Sequence, residues 1–109
     1  MSAIEDIATE RKRQVDAEGW TPEHDDGHKH GEIALAAASY AAHTAPKLDP
    51  WIKVGFAGRT QMAGDFNISD LLWPWDLRWW KPKNRRRDLI RAGALIVAEI
   101  ERIDRAETK

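Results

Sequence analysis

The chain has 109 residues and a formal net charge of -1, with 17 Lys and Arg against 18 Asp and Glu, so it lacks the overall basic field that marks nucleic-acid binders. It has no cysteine, which excludes disulfides, thiolate catalysis and cysteine-bound zinc and suits a reducing compartment. No apolar run approaches the roughly 20 residues of a membrane span, and the acidic start Met1-Ser2-Ala3-Ile4-Glu5-Asp6 lacks a signal peptide's basic-then-apolar order.

Ser2 with Glu5 three residues on forms a capping-box pattern. Ile4, Ile7, Ala8, Arg11 and Val15 follow at helical spacing and predict an amphipathic helix over 3–18, stopped by Gly19. Glu5, Asp6, Glu10, Arg13 and Asp16 are expected on the solvated face. Arg11 falls on the apolar stripe, so it is expected to be partly buried and paired. Thr21 and Pro22 supply a cap and a first helical residue for a second helix, which Gly27 and Gly31 keep short.

Residues 32–45 are alanine-rich and end at Pro46. They predict a central helix crossed closely by others, with Tyr40 as its large side chain. Residues 46–72 carry the weakest pattern. Asp49-Pro50-Trp51 suits a short helix start, Ile52 to Arg59 reads as a short strand pair or an irregular loop, and 65–72 suits one further helical turn.

The last helix is predicted from Arg85 to about residue 106, with Asn84 as its cap. Between Ala92 and Ala98 it is apolar nearly all round, which predicts a buried spine. Gly93 in mid-helix costs roughly 1 kcal/mol against alanine, so a close helix crossing is expected there, with the alanine-rich helix as the candidate neighbour. The fold class is therefore mainly α: a single domain over 1–109, built as a small helical bundle of three main helices plus short helices, with a long irregular Trp-rich segment.

The densest stretch runs from Trp73 to Asp88. It holds Trp73, Trp75, Trp79 and Trp80, and Pro74 and Pro82 forbid a continuous helix through it. It leads into Arg85-Arg86-Arg87 at a helix N-terminus, where the dipole already favours anions over cations. Those arginines need negative charge, either from the Glu23-His24-Asp25-Asp26 run or Asp88, or from a bound anion. A contact between Asp25 or Asp26 and Arg86 or Arg87 is expected on this ground.

His24 and His28 are spaced as paired zinc ligands on one helical face often are, although a third ligand must come from elsewhere. Nucleophilic catalysis finds no support: Ser2, Ser39 and Ser69 have no neighbouring base in sequence, and there is no glycine-rich phosphate loop.

A set of motifs carries a resemblance. They are Glu10-Arg11-Lys12-Arg13-Gln14, then Glu18-Gly19-Trp20-Thr21-Pro22-Glu23-His24-Asp25-Asp26 with His28. Trp73-Pro74-Trp75, Trp79-Trp80-Lys81-Pro82, Arg86-Arg87-Asp88-Leu89, Ala92-Gly93-Ala94-Leu95 and Glu99-Ile100-Glu101-Arg102 follow. In these the chain resembles a family of small bacteriophage and prophage proteins. The resemblance covers both ends of the chain and omits about 46–68. It implies a phage origin and action in the cytoplasm of the host cell; by analogy with small accessory phage proteins, a role against host defence through nucleotide signals or a host protein is expected. It brings no defined activity with it.

Together these readings predict a binding protein rather than an enzyme, with no resident cofactor. The expected ligand is small, anionic and nucleotide-like. Arg86 and Arg87 would hold phosphate, Trp79 or Trp80 would stack, and His24 with Asp25 or Asp26 would orient. A homo-oligomer is expected, and no membrane partner. The alternatives are a metal-dependent phosphoester hydrolase using His24 and His28, and a protein–protein inhibitor of a host defence factor acting through the tryptophans.

Overall fold

The structure, a computed structural model, describes residues 2–44, 53–56, 59–62 and 72–107. The fold is mainly α. Helix α1 spans Ala3–Glu18, α2 Pro22–Asp25, α3 Glu32–Thr44 and α4 Arg85–Glu107. Strands β1 (Lys53–Phe56) and β2 (Arg59–Met62) pair antiparallel, with Lys53 opposite Met62 and Phe56 opposite Arg59, so of the two readings of Ile52 to Arg59 the strand pair is the one found, with its second strand running past that range to Met62. The expected turns at Asp49-Pro50-Trp51 and at 65–71 lie outside the described residues. No helix among the described residues is long and apolar enough to cross a membrane.

The helix ends follow the sequence signals. The Ser2 hydroxyl accepts from the Glu5 amide at 3.1 Å, and the Glu5 carboxylate accepts from the Ser2 amide at 3.3 Å. Gly19 takes φ 72°, a left-handed conformation costly for other residues, which lets the Trp20 amide donate back to the Gln14 carbonyl. Thr21 caps α2 through the His24 amide, and Asn84 caps α4 through the Arg87 amide.

The apolar core is thin. Ile33, Ala36, Ala37 and Tyr40 of α3 meet Ala92, Leu95 and Ala98 of α4, and small side chains bring the two helices close. Trp20, Trp73, Trp75 and Trp80 pack around this seam and supply the bulk that the alanines lack.

Two expectations about α4 need correction. Ala92, Ala94, Leu95 and Ala98 are buried, but Ile96 and Val97 are 49% and 36% exposed, so the helix is not covered all round. Gly93 faces α1 rather than the alanine helix: a Cβ there would lie 2.8 Å from Ile7 Cδ1. The close crossing is real, but its partner is Ile7.

Helix α1 docks through polar groups. Glu10 and Gln14 are buried while Ile4 is 80% exposed, the reverse of the pattern that hydropathy alone predicts. Charge is the reason. The Glu10 carboxylate accepts from Arg13 Nε and Nη2 at 2.8 and 2.9 Å, from Gln14 Nε2 at 3.2 Å, and from Arg87 Nη2 on α4. Asp6 pairs with Arg86. Arg11 is largely buried, as expected, and its Nη2 donates to Asp25 Oδ2 at 2.9 Å.

Burial by itself pushes the Glu10 carboxyl up, but the hydrogen bonds and charges of Arg13 and Arg87 outweigh it and hold it below the ordinary 4.5. A folded value below the unfolded one stabilises the chain above the unfolded value, and this stabilisation is lost as pH falls through the folded value. Glu10→Gln should therefore cost roughly 2–3 kcal/mol near neutral pH. The gap to the parent chain should shrink as pH drops below 4.5. Urea unfolding of both proteins across that range checks it; a gap independent of pH would contradict the clamp.

Candidate functional site

A cleft of about 390 Å³ opens where the end of α1, α2 and the Trp-rich segment meet. Trp20, Trp75 and Trp79 form its aromatic walls, His24 and His28 line one side, and Glu18 and Asp76 contribute carboxylates. Each group is placed by a local device. Gly19 turns the chain at the end of α1, so Glu18 and Trp20 both reach the cleft. The Arg11–Asp25 pair draws α2 against α1, and Arg11 Nη1 also donates to the Trp20 carbonyl at 3.2 Å. Arg105 of α4 donates to the Pro22 carbonyl and to Asp26 Oδ1 at 2.8 Å, which pins α2 from its other side.

The imidazoles sit edge to face, with ring centres 5.0 Å apart. The His28 ring lies 5.1 Å from Trp75, and its Nδ1 is 3.2 Å from Glu32 Oε2. Hydrogen bonds at the start of α3 hold the Glu32 carboxyl below its usual range: its own backbone amide is the largest cause, burial opposes it, and the His30 amide and the His28 ring add to the lowering.

From Trp75 the contacts run inward. Trp75 lies 5.4 Å from Trp73, Trp73 lies 4.9 Å from Trp80, and Trp80 lies 4.7 Å from Tyr40 and 5.3 Å from His43. The cleft wall is thus one end of a continuous stack of rings that reaches the helical core. Burial pushes the Tyr40 hydroxyl up, against a smaller effect of the Lys81 amide that donates to it.

Trp79 is different. It lies on the 3-10 turn Leu77–Trp79, which Asp76 caps by accepting from the Arg78 amide at 2.9 Å. Its indole is 48% exposed at the rim, with the Arg78 guanidinium 5.2 Å and the Lys81 ammonium 5.8 Å from the ring centre. Local cations therefore stand beside an accessible aromatic face.

The structure brings together only part of the expected constellation. His24, His28 and Trp79 share the cleft. Trp80 does not, because it packs against Tyr40, His43 and Trp73. Asp25 is buried against Arg11 and Asp26 pairs with Arg105, so the expected contact with Arg86 or Arg87 is replaced. Burial pushes the Asp25 carboxyl up, and the nearby Arg11 only partly offsets this. Arg86 and Arg87 pair with Asp6 and Glu10 and line a separate cleft of about 480 Å³ with Asn84. The acidic charge they need comes from Asp6 and Glu10 of α1, whose helical spacing predicts a solvated face.

Among the described residues no group of three or more His, Asp or Glu side chains is arranged to hold a metal ion, so His24 and His28 stand without a third ligand. Trp20, Trp75, Glu18 and Asp76 were absent from the expected site. The Trp73-Pro74-Trp75 motif was the available signal for Trp75, since Pro74 interrupts any helix there and holds the segment open. Compared with known proteins, the chain matches no protein-family model, no curated protein and no solved structure.

The two rim tryptophans should behave differently. Trp75→Ala removes a ring that touches Trp20, His28 and Trp73, and should cost about 3 kcal/mol. Trp79→Ala should cost no more than about 1 kcal/mol, because its contacts are partly exposed. Thermal and denaturant unfolding of the two variants checks the ranking; equal losses would mean Trp79 is a packing residue.

Proposed function

We propose that the chain is a binding protein for a small, planar, anionic ligand of the nucleotide class, held in the cleft between Trp20, Trp75 and Trp79. The observation that carries this is the half-exposed Trp79 indole at the mouth of an aromatic cleft, flanked by Arg78 and Lys81. A base entering the cleft would stack on indole and imidazole rings, and stacking of this kind contributes about 1–3 kcal/mol per base. Glu18 and Asp76 suit exocyclic amino groups. Arg78 and Lys81 suit the phosphate, in the role that sequence reasoning gave to Arg86 and Arg87.

The resemblance to bacteriophage proteins makes host nucleotide signals a natural ligand class and counter-defence by sequestration the corresponding role. A metal-dependent phosphoester hydrolase would need a third ligand beside His24 and His28, and none is gathered among the described residues. The protein-inhibitor reading draws on a different observation: Leu77 and Trp79 on one turn are 70% and 48% exposed, as an anchor for a protein partner would be.

Calorimetry against linear and cyclic nucleotides separates these readings. At least one purine nucleotide should bind with a Kd of about 100 µM or tighter. Trp79→Ala should weaken it roughly tenfold, and Arg78→Ala should weaken the nucleotide more than its nucleoside. Absence of heat with every nucleotide at about 1 mM, together with host-lysate recovery of a protein by the parent chain but not by Trp79→Ala, would replace the nucleotide reading with the inhibitor one.

A further inference from the structure

Among the described residues, one face of α4 is left largely uncovered beside the contact of α1 at Gly93. Leu89, Ile96, Ile100 and Ile103 are 46%, 49%, 53% and 40% exposed. Their spacing of seven, four and three residues is the recurrence of a helix–helix seam. Four large aliphatic side chains in a single stripe form a patch rather than scattered surface residues. Gly93 completes the seam register between Leu89 and Ile96, and Ile7 of α1 packs onto it. Ile4, one turn before Ile7, is 80% exposed and adds to the apolar surface of α1.

The ends of the stripe carry opposite charge. Arg85 lies four residues before Leu89 and Glu107 four residues after Ile103, so both continue the same line along the helix. Both are exposed, and neither has an ion-pair partner among the described residues. The first turns of α4 carry Arg85, Arg86, Arg87 and Arg91 against Asp88, while the last carry Glu99, Glu101, Asp104 and Glu107 against Arg102 and Arg105.

We infer that the α4 stripe is the contact surface for a second copy of this chain, docked antiparallel about a two-fold axis at Ile96. In that register Arg85 meets the partner's Glu107, Leu89 meets the partner's Ile103, and Ile96 meets its own equivalent. Ile100 comes opposite the partner's Ala92, one residue from the partner's Gly93. The pattern is complementary to its own reversal, and that is what selects a second copy over an unrelated helix. A parallel copy would set Arg85 against Arg85 and Glu107 against Glu107, and like charges of this kind oppose pairing. Antiparallel docking also sets each positive helix start beside a negative helix end. This inference stands on α4 and the adjoining edge of α1 and does not rest on the nucleotide reading.

Native mass spectrometry and sedimentation of the full chain test it. The parent chain should be a dimer at about 100 µM, and Ile96→Glu should be monomeric with an unchanged far-UV spectrum, since residue 96 is already half exposed. Arg85→Glu and Glu107→Arg should each weaken the dimer by about tenfold, and the double variant should recover it. The chain has no cysteine, so introduced thiols report register directly. Ile96→Cys should cross-link to itself, and Leu89→Cys should cross-link to Ile103→Cys in a mixture but not to itself. A monomeric parent chain, a dimer that survives Ile96→Glu, or self-cross-linking of Leu89→Cys would each overturn the inference.

Discussion

The buried Glu10 carboxylate is the interaction on which the arrangement of α1 depends. It is satisfied on its own helix by Arg13 and Gln14 and across the fold by Arg87, so the helix can seat a charged group against α4 where an apolar one would be usual. Removing water from a carboxylate is costly unless hydrogen bonds replace it, and four donors do so here. This seating fixes the end of α1, and the end of α1 carries Glu18 and Trp20 into the cleft. The Arg11–Asp25 pair, one residue further along the same helix, extends the control to α2 and its histidines.

The core and the cleft share one set of rings. The α3–α4 seam is made of alanines with Ile33, Leu95 and Tyr40, and alone it is too slight to anchor a loop segment. Trp73 and Trp80 close over it, and Trp75 passes the contact outward to His28 and Trp20. A wall held in this way is pre-organised, which reduces the ordering cost of a ligand that stacks on it. Trp79 stands outside this packing, at the rim, with its cations. The division separates tryptophans that hold the fold from one available for contact.

Helix boundaries were legible because their signals are local. Ser2 and Glu5, Gly19, Thr21-Pro22 and Asn84 each act within one turn of chain. The face on which α1 docks was not legible, because hydropathy ranks Ile4 above Glu10 and only the position of Arg87 reverses that order. The cleft was half legible for the same reason. His24 and Trp79 could be named from their types and neighbours, whereas the pairing of Asp25, Asp26, Arg86 and Arg87 depends on how three helices cross. Asp25 and Asp26 pair with single cations on α1 and α4, Arg11 and Arg105, rather than with the densest basic run in sequence, which Asp6 and Glu10 take. The exposure of Ile96 was hidden in turn by an apolar run that suits burial on every side.

The most direct test of this account is a nucleotide titration followed by the indole N–H resonances of the six tryptophans in solution. The signals of Trp20, Trp75 and Trp79 should move together with the imidazole signals of His24 and His28, while those of Trp73 and Trp80 should move little. Movement confined to the amides of Arg86, Arg87 and Asn84 would place the ligand at the start of α4 instead. That result would contradict the assignment of the aromatic cleft as the binding site.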